Sequence, residues 1–411
     1  MISDPVFILH NFKIRKVNLN MDMETKHKIY FESSLNMGSI PDNSIDLIVT
    51  SPPYPMIQMW DDIFSTQDKK IEKALNDRDG NKAFELMHGV LDSVWNEAYR
   101  VLRSGGFACI NIGDATRTIN ENFALYPNHT RILHHLRDIG FTSLPDIIWR
   151  KQTNAPNKFM GSGMLPAGAY VTLEHEYILV VRKGSKREFP KESEKLNRRQ
   201  SALFWEERNT FFSDIWFDIK GTRQGRKAKD RKTSRRRSGA FPFELVYRLI
   251  NMYSVKGDMI LDPFMGTGTS MAAAMASARN CIGFEIDNSF KKDILAVKNN
   301  IVDYSNQVIQ TRLNKHIDFV KERLKLKKII KHNNEFYGFP VITNQEKFLI
   351  LNELIKVKQI KSGHFSVGYS KTPQEKYCLD WGKIFDNKLL DDFKIKKTND
   401  LHRRDEQLEL F

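Results

Sequence analysis

The chain has 411 residues, with 64 Lys and Arg against 50 Asp and Glu, and a formal net charge of +14. Its 41% of hydrophobic and 28% of charged residues are typical of a folded globular protein and exclude disorder throughout. No stretch approaches the ~18–20 apolar residues of a membrane span, and the amino terminus lacks a signal-peptide layout. The cysteines, Cys109, Cys281 and Cys378, are too few and too scattered for a disulfide scaffold or a zinc site, so a reducing cytoplasm and no metal are expected.

Strands and helices are predicted to alternate along most of the chain. In chain order the predicted elements are strand 44–50, helix 81–103, strand 107–112, helix 130–139, strands 141–149, 175–181 and 258–261, helix 270–278 and strand 281–284. The consecutive prolines Pro52 and Pro53 stop the first strand, and Gly105-Gly106 is expected to end the first helix. Strands that alternate with helices indicate an α/β fold with a doubly wound sheet.

The composition changes after about residue 300, where the sequence becomes rich in Lys, Asn and Ile and carries no catalytic motif. This change predicts a main domain over residues 25–300, a smaller accessory C-terminal domain over residues 301–411, and an N-terminal arm over residues 1–24. The accessory domain is expected to recognise or stabilise rather than to react.

A basic run occupies residues 220–237, which read KGTRQGRKAKDRKTSRRR and contain one acid, Asp230. Such a run is either a solvated segment that repels itself or a loop that contacts phosphates. Its position between structured-looking flanks makes a phosphate-contacting loop plausible, and the net charge favours a polyanionic partner. The candidate DNA-binding residues are Arg223, Arg226, Lys227, Arg231, Lys232, Arg235, Arg236 and Arg237.

A glycine-rich turn follows the strand at 258–261, in the sequence DMILDPFMGTGTS. Gly266 and Gly268 allow a tight turn and a close backbone approach to a ligand. Asp262 stands at the carboxyl end of the strand, and Glu285 ends the next one, where a carboxylate can accept hydrogen bonds from ribose hydroxyls. The alternative is an ordinary joint between a strand and a helix. Because no Lys follows the glycines, an adenosyl cofactor is favoured over a triphosphate.

The second motif is the sequence TSPPYP over residues 50–55, at the end of a buried strand. Consecutive prolines cannot continue a sheet, and their missing N–H groups leave carbonyl oxygens free to point into a cleft. A proline carbonyl and the Ser51 hydroxyl can accept the hydrogens of a planar aromatic amine, while the Tyr54 ring stacks on its face. The alternative is a structural proline turn with a surface tyrosine.

The two motifs together resemble those of the DNA amino-methyltransferases, which use S-adenosyl-L-methionine. In that family a D/N/S-P-P-Y/F motif holds the target amine and an F-x-G-x-G motif holds the methyl donor; here they read SPPY over 51–54 and FMGTG over 264–268. The catalytic motif precedes the cofactor motif, which is the order of the β-class. The resemblance extends over about residues 30–300 and implies a Rossmann-like sheet with circularly permuted motifs.

The resemblance also implies a role for each matching residue. The catalytic residues would be Ser51, Pro52, Pro53 and Tyr54, and the cofactor would be bound by Glu32, Phe241, Asp262, Phe264, Gly266, Gly268, Thr269 and Glu285. Glu285 would bind ribose, and the segment SGAFPFELVYRLI, which contains Phe241, would pack at the methionine end. Glu32 stands where the family often has Asp near the adenine, a departure that leaves its role open.

The implied function is site-specific methylation of a base flipped out of double-stranded DNA. S-P-P-Y is typical of cytosine-N4 enzymes and D-P-P-Y of adenine-N6 enzymes, so cytosine N4 is expected, with adenine N6 as the alternative. A non-catalytic DNA-binding protein of the same fold and a small-molecule or RNA methyltransferase are two competing hypotheses. The insert at 60–82 is either a mobile flap or an ordinary polar loop.

Target recognition in this class lies between the two halves of the domain, here at about residues 184–237. The residue order does not indicate which DNA sequence is read. Enzymes of the family often protect host DNA beside a restriction endonuclease, which implies a functional pairing of that kind and a bacterial or archaeal cytoplasm.

Overall fold

The structure is a computed structural model that describes residues 23–151, 160–221, 241–328 and 330–385. The described α-helices are α1 Asp61–Gln67, α2 Lys69–Asn76, α3 Gly80–Val101, α4 Asn128–Asp138, α5 Glu192–Gln200, α6 Trp205–Phe211, α7 Phe243–Tyr253, α8 Thr269–Ala276, α9 Lys291–Ala296 and α10 Ile301–Lys325. The described strands are β1 Glu24–Tyr30, β2 Ile45–Thr50, β3 Leu102–Ile112, β4 Ala115–Ile119, β5 Asn122–Tyr126, β6 Phe141–Ser143, β7 Ile147–Arg150, β8 Met160–Gly161, β9 Ala169–Tyr170, β10 His175–Lys183, β11 Ile215–Trp216, β12 Met259–Asp262, β13 Asn280–Phe284, β14 His332–Asn333, β15 Pro340–Val341, β16 Leu354–Lys361 and β17 His364–Tyr369.

Within the described residues, one mixed sheet has the strand order β11-β7-β10-β3-β2-β12-β13-β1-β17-β16, with β6 beside β10. The central strands β3, β2, β12, β13 and β1 are parallel to one another, while β10 and β17 are antiparallel to their inner neighbours. Strand β2, which leads into the proline motif, lies directly beside β12, which leads into the glycine motif. Because these neighbours are parallel, both motifs emerge at the same edge of the sheet. The predicted α/β sheet is confirmed.

Apolar helices cover both faces of this sheet, and strand β2 is buried between them. Leu47 and Val49 of β2 belong to a core that includes side chains of α7 and α8, whereas Ile48 belongs to a core with α3 and α4. Alternate residues of a strand point to opposite faces, so a strand covered on both sides reads as a continuous apolar run. This burial explains the run IDLIV in the sequence.

Helix α3 ends earlier than predicted. The chain passes from Val101 directly into β3, so Gly105 and Gly106 lie inside a strand instead of ending the helix. The pairing of β3 with β2 shifts register between Leu102 and Phe107, which places the glycines in an irregular stretch of the strand. Gly105 has φ +79°, a conformation that glycine adopts readily and other residues avoid.

The predicted strand at 141–149 is two strands, β6 and β7, which both pair with β10. Pro145 lies between them and has no N–H group to donate to a strand ladder. The side chain of Asp146 replaces part of that ladder, because its Oδ1 atom accepts a hydrogen bond from the Val180 amide at 3.0 Å. The interruption therefore follows from the proline.

Part of the predicted accessory domain is continuous with the central sheet. Strands β16 and β17 form a hairpin, and β17 pairs with β1. A separate hydrophobic core joins the start of α6 to α10 and to the segment that follows it; its most buried members are Phe204, Leu313, Val320, Phe339, Val341 and Leu349. The boundary at residue 300 stays a prediction, as does the arm at 1–24, of which residues 1–22 lie outside the described part.

The described helices include none that combines the length and apolar character needed to span a bilayer.

Candidate active site

A cavity of about 530 Å³ opens at the sheet edge where β2, β12 and β13 end. Most of the residues predicted for catalysis or cofactor binding line it, namely Glu32, Ser51, Pro53, Phe241, Phe264, Gly266, Thr269 and Glu285. Of the other predicted residues, Pro52, Tyr54 and Gly268 adjoin these lining residues in the chain, and Asp262 precedes Pro263, which also lines the cavity. The structure therefore brings the two motifs to one site.

The two glycines of the turn have different surroundings. Gly266 has φ +55°, and a Cβ atom there would meet nothing nearer than the Phe264 carbonyl oxygen at 4.0 Å, so its backbone faces the cavity. Gly268 has φ +89° and precedes α8, and a Cβ atom there would lie 3.3 Å from Val297 Cγ2. Gly266 thus leaves room for a ligand, whereas Gly268 allows close packing of the chain.

Glu285 is fixed at the cavity wall by the backbone of the glycine turn. Its Oε2 atom accepts a hydrogen bond from the Gly266 amide at 2.7 Å, and its Oε1 atom accepts one from the Asp287 amide at 2.7 Å. Burial raises the pKa of this carboxyl from 4.5 to about 7, although both amide donors act in the opposite direction. Each oxygen retains a lone pair for a further donor, which is the arrangement that a ribose diol requires.

Asp262 does not line the cavity, because it is fully buried beneath it. Thr50 Oγ1 donates to its Oδ1 atom at 2.6 Å, Ser270 Oγ donates to its Oδ2 atom at 2.5 Å, and the Phe264 amide donates to Oδ1 at 3.0 Å. Burial nonetheless raises the pKa of this carboxyl above its ordinary value. Asp262 therefore connects the last residue of β2 to the glycine turn and to α8.

The Tyr54 hydroxyl belongs to a partly buried hydrogen-bond network behind the proline motif. It donates to Glu176 Oε2 at 2.9 Å, accepts from Asn111 Nδ2 at 2.9 Å, and lies 3.2 Å from Ser51 Oγ. Lys151 Nζ donates to Glu176 Oε1 at 2.7 Å. Burial and the neighbouring carboxylate hold the pKa of the tyrosine hydroxyl well above its ordinary value. Asn111, Glu176 and Lys151 were not predicted as site residues.

A second buried network holds the other end of the proline motif. Asn128 Nδ2 donates to the carbonyl oxygens of Pro55, at 3.1 Å, and Gly113, at 3.0 Å. His88 Nε2 lies 3.0 Å from Asn128 Oδ1, and burial lowers the pKa of this histidine to about 3. The imidazole is therefore neutral and donates to the amide oxygen. These residues fix the turn that carries Ser51.

The insert after the motif forms part of the cavity wall. Trp60, Ile63, Phe64 and Gln67 line the cavity, and most of them lie on α1. Phe64 is fully buried, and α2 buries further apolar side chains. An ordinary polar loop is thus the wrong description of residues 60–82.

The predicted DNA-binding residues Arg223, Arg226, Lys227, Arg231, Lys232, Arg235, Arg236 and Arg237 lie outside the described residues. Glu206, His316 and Glu346 lie together in the described part and are of metal-ligating types. His316 Nε2 donates to the Pro340 carbonyl at 3.0 Å and its Nδ1 atom contacts Glu206 Oε1 at 2.8 Å, while Glu346 accepts from backbone amides. These contacts hold α6 against α10, so we assign the group to packing.

The proline motif beside the glycine turn at one sheet edge and the carboxylate at the cavity wall are the features expected of a DNA amino-methyltransferase. The family model described as DNA methylase, which covers N6 and N4 enzymes, matches residues 45–298, and the chain belongs to this family. It is therefore a DNA methyltransferase, and its cofactor is S-adenosyl-L-methionine.

Two archaeal proteins are similar over most of their own length. The chain is 49% identical to the Type II methyltransferase M.MthZI of Methanothermobacter thermautotrophicus over 355 residues, 86% of this chain and 98% of that protein. It is 48% identical to the Type II methyltransferase M.MjaI of Methanocaldococcus jannaschii over 285 residues, 66% of this chain and 91% of that protein. Among solved structures, a DNA modification methylase of Thermus thermophilus, TTHA0409, in complex with S-adenosyl-L-methionine is 29% identical with a TM-score of 0.51, over 67% of this chain and 95% of that one.

The cavity residues fit this cofactor. Glu285 offers acceptors for the ribose hydroxyls, and the open space at Gly266 admits a ligand close to the backbone. Phe264 and Phe290 supply apolar ring surface at the cavity wall for a nucleoside. Ser51 lies on the wall of the same cavity.

Proposed function

We propose that this methyltransferase acts on the exocyclic N4 amine of a cytosine that is flipped out of double-stranded DNA. The observation that carries the proposal is Ser51, a hydroxyl rather than a carboxylate, on the wall of the cofactor cavity and in the S-P-P-Y motif typical of cytosine-N4 enzymes. The alternative is adenine N6, which the same family also includes.

The proposed mechanism is direct transfer without a covalent enzyme intermediate. S-adenosyl-L-methionine, when bound, would supply a methyl group on a sulfonium. The amine nitrogen would form its bond to that methyl as the sulfur–methyl bond breaks, and it would then release one proton. An exocyclic amine is a poor nucleophile because its lone pair is delocalised into the ring. Ser51 Oγ and the Pro52 carbonyl accept hydrogen bonds from its two N–H groups and favour a pyramidal nitrogen. The Tyr54 ring holds the flipped base. Positioning of the amine supplies much of the acceleration.

The regions outside the cavity have proposed roles in DNA recognition. Residues 184–237 contain the target-recognition region and the basic run, which contacts phosphates through its Arg and Lys side chains. M.MthZI and M.MjaI are both named Type II methyltransferases. These names support the proposal that this chain belongs to a restriction–modification system, paired with an endonuclease in an archaeal or bacterial cytoplasm.

The experiment that tests the function is methylation of DNA by the purified enzyme, followed by hydrolysis and identification of the modified nucleoside. We expect N4-methylcytosine; 6-methyladenine would refute the choice of base while leaving the site intact. Sequencing of modified positions in DNA from cells that express the protein gives the target site. Ser51→Ala and Tyr54→Ala should abolish transfer and leave cofactor affinity nearly unchanged. Full activity in both variants would refute the proposed catalytic site.

A further inference from the structure

The network behind the proline motif contains a carboxylate that never reaches the cavity. We propose that Glu176 is a positioning residue, which fixes the direction of the hydrogen bond between Tyr54 and Ser51 so that Ser51 presents a lone pair to the substrate amine. The inference rests on the proposed role of Ser51 as acceptor of an amine hydrogen, and it adds the residue that makes Ser51 an acceptor.

The argument starts at Lys151 and Glu176. Lys151 Nζ donates to Glu176 Oε1 at 2.7 Å, so the two side chains form an ion pair of ammonium and carboxylate. The second oxygen, Oε2, lies 2.7 Å from Asn111 Nδ2. It also lies 2.9 Å from the Tyr54 hydroxyl. An ionised carboxylate only accepts hydrogen bonds, so all three neighbours must donate to it.

This requirement fixes the direction in which the Tyr54 hydroxyl donates its hydrogen. A phenol has one hydrogen, and the carboxylate of Glu176 takes it. The Tyr54 oxygen can then only accept, and it does so from the second hydrogen of Asn111 Nδ2 at 2.9 Å. The remaining contact, with Ser51 Oγ at 3.2 Å, must therefore have Ser51 as its donor.

The orientation of Ser51 follows from that contact. Its one hydrogen points away from the cavity toward Tyr54, so the oxygen lone pairs are left for a ligand at the cavity wall that Ser51 lines. A base amine offers hydrogens and no free lone pair, so a serine hydrogen directed at it would repel it. The carboxylate at position 176 thus determines whether the hydroxyl of Ser51 accepts or opposes the amine.

The surroundings of Glu176 favour a functional role over a structural one. Its side chain is 10% exposed, although carboxylates are seldom buried without a reason. Within the described residues, the Oδ1 atom of its partner Asn111 is buried without a hydrogen-bond partner, which lowers stability. Glu174, two residues earlier, is 42% exposed and pairs with Arg150 at 3.1 Å, as an ordinary surface carboxylate does. A purely structural network would not need an unpaired amide oxygen.

The test compares single-turnover methyl transfer in Glu176→Gln, Tyr54→Phe and the matched surface control Glu174→Gln. A glutamine can donate its amide hydrogens to Tyr54 and reverse the chain of hydrogen bonds, and a phenylalanine keeps the stacking ring but removes the hydroxyl. We expect the rate to fall about 10- to 100-fold in both variants, the scale of one buried charge-assisted hydrogen bond. Glu174→Gln should match the wild type. In all three variants the dissociation constants for S-adenosyl-L-methionine and for DNA should stay unchanged. The rise in fluorescence of a 2-aminopurine placed at the target position, which reports base flipping, should also stay unchanged.

A second measurement separates orientation from folding. Glu176→Ala leaves space for a small carboxylate, so added formate should restore part of its rate. It should not restore the rate of the Glu176→Ala/Tyr54→Phe double variant, in which the connection to Ser51 is missing. A wild-type rate in Glu176→Gln, or a formate effect that persists without the Tyr54 hydroxyl, would overturn the inference. Either result together with an inactive Ser51→Ala would leave the proposed role of Ser51 standing. A fully active Ser51→Ala would refute both that role and this inference.

Discussion

The raised pKa of Glu285 predicts that the affinity for S-adenosyl-L-methionine depends on pH in the neutral range. Its pKa is raised by burial from 4.5 to about 7, so at neutral pH about half of the free protein carries a protonated Glu285. Ribose hydroxyls donate hydrogen bonds, so they bind the ionised carboxylate more tightly than the protonated one. At a pH below that pKa, binding of the cofactor must therefore release a proton from Glu285. Affinity should rise up to about tenfold for each pH unit toward about 7 and level off above it, which corresponds to about 1.4 kcal/mol per unit.

The stability of the free protein should change in the opposite direction. A carboxyl whose pKa is higher in the folded than in the unfolded chain stabilises the fold fully below its unfolded value and loses that contribution as the pH rises through the folded value. Raising the pH from about 4.5 to about 7 therefore removes up to about 3 kcal/mol of the stabilisation that Glu285 gives to the fold of the cofactor-free protein. The increase in melting temperature caused by a fixed cofactor concentration should accordingly grow over the same range.

Isothermal titration calorimetry of S-adenosyl-L-methionine between about pH 6 and about pH 8, in buffers of different ionisation enthalpy, measures both the affinity and the protons released. We expect about half a proton released per cofactor near the pKa. Glu285→Gln is the control, since it should bind more weakly at high pH and lose the pH dependence. An affinity that is constant over this range, or a slope that persists in Glu285→Gln, would refute the reasoning.

Two further predictions concern the basic run and the connection between the motifs. Replacing Arg235, Arg236 and Arg237 with Gln should weaken DNA binding, while cofactor affinity stays constant. The slope of log affinity against log salt should become less steep by about 0.9 for each phosphate that is no longer neutralised. Weaker cofactor binding would instead indicate that the run has a structural role. Thr50→Val removes a buried 2.6 Å hydrogen bond to Asp262, and urea unfolding should show a loss of about 1–3 kcal/mol with weaker cofactor binding. An unchanged unfolding free energy in Thr50→Val would contradict the second prediction.

Local sequence was sufficient to predict the strands that carry the motifs. The run predicted at 44–50 contains strand β2, and the glycine turn follows β12. Apolar runs that end at prolines or glycines restrict the backbone within a few residues, which is why local sequence sufficed here. At Gly105-Gly106 the same kind of signal gave a wrong prediction, because both glycines lie inside a strand and do not end a helix. A glycine pair allows both a helix end and an irregular stretch of strand, and only the pairing of β3 with β2 distinguishes them.

The sequence could not predict that Asn111 and Glu176 meet at Tyr54. Both lie in apolar strand segments, where a single polar residue most often faces solvent at a strand end. They are brought together by the antiparallel pairing of β10 with β3, in which Ile178 is opposite Asn111 and Tyr177 is opposite Ile112. That register depends on contacts between distant segments. The position of Glu176 at the start of a strand in LEHEYILVV was the one available signal.

The packing of α6 explains why the proposed recognition region and the C-terminal region should be considered together. Arg312 of α10 is nearly buried and donates to both oxygens of Glu207 on α6, at 2.6 and 2.7 Å, and to the Tyr247 hydroxyl on α7 at 2.9 Å. Phe204, at the start of α6, stacks on the ring of His316 with centroids 4.1 Å apart. A chain ended at residue 300 would leave Glu207 without its cation and would expose Phe204 to water. Removing one partner of a buried ion pair is strongly destabilising. The C-terminal region therefore supports the segment that we propose to recognise DNA.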